Sequence, residues 1–160
     1  MIIEERVERS QYVKLITWIV SFIILMAGIV FPVLILWVNQ DMMSKVIGAS
    51  VLCLIFFTLI FTVAYQPRKL ILSETHIIME RILGQVYISY SDITDISLYH
   101  RENVAEIRIF GIGGLGGYIG KFYNSKIGFY TAYVGDYSQA FLIKINNREK
   151  YVMSCRMPKR

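Results

Sequence analysis

The chain has 160 residues, 55% of them hydrophobic, with a mean hydropathy of +0.48 and a formal net charge of +5. So apolar a composition excludes an ordinary soluble domain of this length, and two cysteines exclude a disulfide scaffold.

Residues 1–14 carry Arg6, Arg9 and Lys14 beside Glu4, Glu5 and Glu8, and read as a cytoplasmic N-terminal segment. From Leu15 to Val38 there is no charged residue or histidine. About 20 apolar residues suffice to cross a bilayer as a helix, so 15–38 is expected to be a first transmembrane span. The run is too long for the core of a signal peptide and lacks a small-residue cleavage site. Trp18 and Trp37 lie 19 positions apart, roughly 28 Å along a helix, which sets one indole near each interface of the bilayer. Pro32 removes one backbone donor and is expected to kink this helix.

The connection 39–45 (NQDMMSK) is short and polar. A second uncharged run, 46–65, is the second expected span. Ser44, Gly48, Ala49 and Cys53 are small residues at helical spacings and could admit a close neighbour. Thr58 and Thr62 can bond back to their own helix. Neither span holds an ionisable residue, which argues against a proton relay or ion pathway. Bases flank the outer ends of the pair: Arg6, Arg9 and Lys14 before it, Arg68 and Lys69 after it. The connection holds only Lys45. The positive-inside rule therefore puts both termini in the cytoplasm and the connection outside, with Trp18, Trp37, Arg68 and Lys69 as interface anchors.

Beyond Tyr65 the period changes from helical to two. Nine strands are expected, at 69–73, 76–82, 86–90, 93–99, 104–110, 117–123, 126–134, 140–146 and 149–154, and their alternation is of the antiparallel, half-buried kind. Polar or glycine-bearing turns separate several of them, including Arg101-Glu102-Asn103 and a tight Asn146-Asn147. Residues 91–94 (SDIT) could form one short helical turn capped by Ser91 or Asp92. So many short strands imply a barrel or sandwich over residues 66–160.

The segment 111–120 (GIGGLGGYIG) holds six glycines. Gly111-x-Gly113-x-x-Gly116 matches the dinucleotide fingerprint, but that motif needs a helix opening directly after the glycines. The aromatic and β-branched residues that follow favour a strand instead. Gly111, Gly113, Gly114, Gly116, Gly117 and Gly120 are therefore read as a connection needing positive φ or close backbone approach. With Leu115 and Tyr118 they also make a candidate interaction loop. His76 and His100 have no partners at metal-ligand spacing, and no catalytic, cofactor or metal residues stand out.

The runs 113–124 (GGLGGYIGKFYN), 128–134 (GFYTAYV), 141–146 (FLIKIN) and 151–154 (YVMS), with 90–96 (YSDITDI), resemble bacterial pleckstrin-homology (PH-like) domains, whose members commonly carry two membrane helices ahead of the domain. The resemblance implies a two-helix transmembrane hairpin followed by an all-β PH-like barrel of strongly bent antiparallel sheets, with no enzymatic activity. PH-like domains end in a helix closing one barrel mouth. Here 155–160 (CRMPKR), with Pro158, follows the last strand, which implies an open barrel end or a truncated member.

The function expected is a non-catalytic, membrane-anchored module that binds a protein partner or a second copy of itself, with neither cofactor nor nucleic acid. From Gln66 onward there are thirteen Lys/Arg and eight Asp/Glu, so anionic lipid should attract the domain. The first hairpin turn, Ser73-Glu74-Thr75-His76, has no Lys or Arg, and specific phosphoinositide recognition is not expected. The alternatives are a small oligomeric transporter or channel accessory subunit, and a nucleotide-binding enzyme using the Gly111–Gly116 loop.

Overall fold

A computed structural model of the full chain describes residues 3–38, 41–101, 106–146 and 149–156. Two long helices precede a sheet-rich C-terminal region. Helix α1 (Gln11–Val38) and helix α2 (Met42–Ala64) each begin four residues before the expected span and are long and apolar enough to cross a membrane. Gln40 and Asn39 of the connection lie outside the described residues. Asp41 caps α2 by accepting a hydrogen bond from the Ser44 amide at 3.0 Å, and that bond holds its carboxyl below the usual range.

The less exposed positions recur at helical spacing: Val13, Thr17, Ile24, Gly28, Pro32 and Ile35 on α1, and Ser44, Gly48, Leu52, Ile55, Leu59 and Thr62 on α2. A methyl group at Gly28 would press into the Ile55 side chain, so glycine is what lets the helices approach there. Of the small residues noted on α2, Ser44 and Gly48 lie on this less exposed stripe, whereas Ala49 and Cys53 face outward. Thr58 and Thr62 do bond back, to the carbonyls of Leu54 and Thr58. Most other side chains of the pair are exposed apolar groups.

The C-terminal region contains all nine expected strands: β2 (Pro67–Leu72), β3 (His76–Arg81), β4 (Gln85–Ser89), β5 (Ile93–Leu98), β6 (Glu106–Gly113), β7 (Tyr118–Asn124), β8 (Gly128–Val134), β9 (Ala140–Ile145) and β10 (Lys150–Ser154). Ala105, Glu102, Asn103 and Asn147 of the expected strand and turns lie outside the described residues, as does Pro158. A tenth strand, β1 (Ile3–Arg6), was not anticipated; it pairs antiparallel with β2, Ile3 opposite Leu72 and Arg6 opposite Lys69. The short turn at Tyr90–Asp92 is a 3₁₀ turn entered from Ser89 without a side-chain cap, rather than one capped by Ser91 or Asp92.

The strands form a four-stranded sheet, β1-β2-β3-β4, and a six-stranded sheet, β5-β9-β10-β8-β7-β6. Two features differ from the expected antiparallel barrel. First, the sheets do not close: the 3₁₀ turn interrupts the chain between β4 and β5, and β6 ends the larger sheet. Second, β10 runs parallel to β8. The 3₁₀ turn Tyr137–Gln139 carries the chain beyond the neighbouring position, and β10 fills the slot left between β8 and β9.

Strands β9 and β10 bury both faces, which explains the continuous apolar run AFLI at 140–143. One face, with Phe141, Ile143 and Met153, packs on Leu70, Ile77, Met79 and Ile88 of the smaller sheet. The other, with Ala140, Leu142 and Val152, packs with Tyr99, Phe122, Tyr130, Ala132 and Val134.

Candidate functional site

The glycine segment is a joint between the β region and the roots of the helices. β6 and β7 form a hairpin around it, with Gly111 directly opposite Gly120. Both have positive φ, and a side chain on either would overlap the backbone of the other strand. The bend at its tip is closed by the Gly114 amide donating to the Gly117 carbonyl at 2.9 Å. After Gly117 the chain enters strand β7, not a helix, so the phosphate-binding geometry of a dinucleotide fold is not formed.

The tip lies against α1. The Gly116 amide donates to the Thr17 hydroxyl at 2.7 Å, and that hydroxyl can donate to the carbonyls of Val13 and Gly114. Gly116 also packs on Gln66, just past α2, and a methyl group there would overlap the Gln66 amide. Gln66 in turn accepts a bond from Arg9 at 2.5 Å. Gly114, Gly116 and Gly117 are buried, while Ile112, Leu115 and Tyr118 are half-buried and Gly113 is exposed. A second clasp lies alongside: Ser10 donates to the Gly135 carbonyl, and the Gly135 amide donates to the buried Ser154 hydroxyl.

The pairing of β1 with β2 gathers bases from both chain regions. Arg6, Arg9, Arg68 and Lys69 line one groove at the helix roots, with Glu80 on its wall. Lys69 is paired with Glu4 at 3.1 Å, and Arg68 is exposed. Of the remaining anticipated anchors, Trp18 is 78% exposed and Trp37 86%, one near each end of α1.

A polar cluster joins the residues after β5 to β6, β7 and the Tyr137–Gln139 turn. The Glu106 side chain is only 4% exposed, lies 2.8 Å from Arg101 Nε and accepts a bond from the Tyr137 hydroxyl at 2.9 Å. The Arg101 guanidinium lies over the rings of Tyr118 and Tyr137, at 4.8 and 4.6 Å. Asn124 donates to the Tyr99 hydroxyl at 2.9 Å. Within the cluster the Arg101 guanidinium offsets the charge of the Glu106 carboxylate. Sequence reading did not find it, because its members come from four separated segments. Burial pushes the hydroxyls of Tyr130, Tyr133 and Tyr137 upward, and that of Tyr151 up to about 12.

Cys53 and Cys155 are free thiols, and burial pushes the Cys155 thiol up. His76 bonds Thr75 at 2.7 Å, and His100 is exposed. Among the described residues no group of three or more His, Cys, Asp or Glu is placed to hold a metal ion.

Across β6, β7 and β8, the row Ile107, Tyr123 and Phe129 shares the sheet's outer face, with Ile107 and Phe129 exposed. Among the described residues β6 has a neighbour on one edge only.

A family model described as a bacterial PH domain matches residues 68–159. No curated protein and no solved structure matches the chain.

Proposed function

The chain belongs to the bacterial PH domain family, and from that premise we propose that it is a non-catalytic protein-interaction or self-association module anchored in the cell membrane by two spans. Both termini lie in the cytoplasm in this reading, and the connection around Asp41 lies outside. Two apolar helices of span length support the anchoring, and the bases at their outer ends support the orientation. The polar joint of Gly116, Thr17 and Gln66 ties the β domain to the helix roots, so the anchor sets which face the domain turns to its partner.

The single observation that carries the interaction role is the outer edge of the larger sheet. β6 offers unpaired backbone groups on one side, beside the exposed apolar row of Ile107 and Phe129. Monomeric proteins normally blunt such an edge, and a strand from a partner or a second copy can extend it. A photoreactive residue in place of Phe129 should form an adduct in cells with a protein partner or another copy, and Ile107→Lys should abolish it. Absence of any adduct, or an adduct indifferent to Ile107→Lys, would remove this face from the account.

A further inference from the structure

Resting on the membrane reading above, we propose that the cleft between the last turn of α2 and the outer face of β6–β8 binds an anionic phospholipid, with its phosphate on Arg81 and Lys121. The cleft is amphiphilic. Phe61 of α2 and Tyr65 just after it form one wall, Phe110, Ile119 and Tyr133 the other, and Arg81 and Lys121 supply positive charge. Its volume is about 230 Å³, below the usual size of a closed ligand pocket. That is room for a headgroup and the start of a chain, with the remainder lying in open bilayer.

Arg81 is under-paired. Its guanidinium lies over the Tyr65 ring at 5.2 Å and the Tyr133 ring at 5.5 Å. Its Nε is buried without a hydrogen-bond acceptor, and among the described residues no carboxylate forms an ion pair with it. A guanidinium has five donors, and phosphate is a geometric match for them.

The depth is set by the next two residues. The Leu83 amide donates to the Ala64 carbonyl at the end of α2, at 2.8 Å. Ile82 lines a shallow apolar groove with Leu59, Ile60 and Val63, and both Ile82 and Leu83 remain more than half exposed. The turn after β3 thus lies against the final turns of an apolar helix, where hydrocarbon would cover it. Arg81, one residue back, then sits at headgroup level, where a base is attracted to anionic lipid.

The test is native mass spectrometry of the full chain released from bilayers of phosphatidylcholine and phosphatidylglycerol in equal amounts. Phosphatidylglycerol should be retained preferentially. Loss of a charged hydrogen bond predicts about tenfold weaker retention in Arg81→Gln. Lys121→Gln, at an exposed position, should also weaken it, whereas Arg68→Gln in the separate basic groove should leave the preference intact. Equal retention of the two lipids, loss only in Arg68→Gln, or displacement by inorganic phosphate would overturn the proposal. Alkaline extraction of the same membranes separates the failures. A chain that stays with the membrane but shows no lipid preference refutes the cleft alone; a chain released to the supernatant refutes the anchoring and the cleft together.

Discussion

Gly116 shows how a residue without a side chain can decide a joint. It combines a φ of +74° with direct contact against Gln66. Gly128 has nearly the same φ, +76°, but only the flexible end of Lys150 lies near. Backbone strain alone costs about 1–3 kcal/mol, and overpacking a buried contact adds about as much again. Gly116→Val should therefore lower the thermal unfolding midpoint of the detergent-solubilised protein well beyond what Gly128→Ala does. Equal shifts would mean that φ is the whole requirement and that the Gln66 contact is incidental. The need for positive φ or close approach was legible in the glycine spacing. Which chain approached was not, because Thr17 and Gln66 are distant in sequence and carry no pattern pointing to one another.

At the scale of elements, the strands that alternate were the ones sequence could place. β1 was not among them. Its four residues, Ile3-Glu4-Glu5-Arg6, have no alternation, and only backbone pairing with β2 makes them a strand. The parallel placement of β10 beside β8 was equally hidden, since local periodicity carries no information about strand order. These central strands hold Tyr130, Tyr133 and Tyr151, and the adjoining turn holds Tyr137; all four hydroxyls are raised above their ordinary value, with burial as the largest cause. A raised folded pKa means that folding favours the neutral hydroxyl. The resulting stability is fully present below the unfolded tyrosine value of about 10 and is lost as pH rises through the folded values. Denaturant midpoints should thus fall as pH rises above about 10, and Tyr137→Phe should flatten that decline. A midpoint independent of pH up to the alkaline limit would contradict the burial of these rings.

The whole molecule divides between two solvents in the reading proposed here. α1 and α2 turn apolar side chains outward along most of their length, which is costly in water and neutral in lipid, while the β region buries its apolar residues in two cores. The contrast between outward-facing apolar helices and a β region with buried cores was legible from composition alone, because charge vanishes from two runs of span length. Closure was not: whether two sheets join depends on the 3₁₀ break and on which strand ends each sheet, and neither is written in alternation. The most direct test is labelling of intact cells with a membrane-impermeant thiol reagent in a Cys53→Ser, Cys155→Ser background. A cysteine replacing the exposed Met43, at the start of α2, should label, and one replacing the exposed Lys126, between β7 and β8, should label only after permeabilisation. Equal labelling of both sites in intact cells, or the reverse order, would contradict the account.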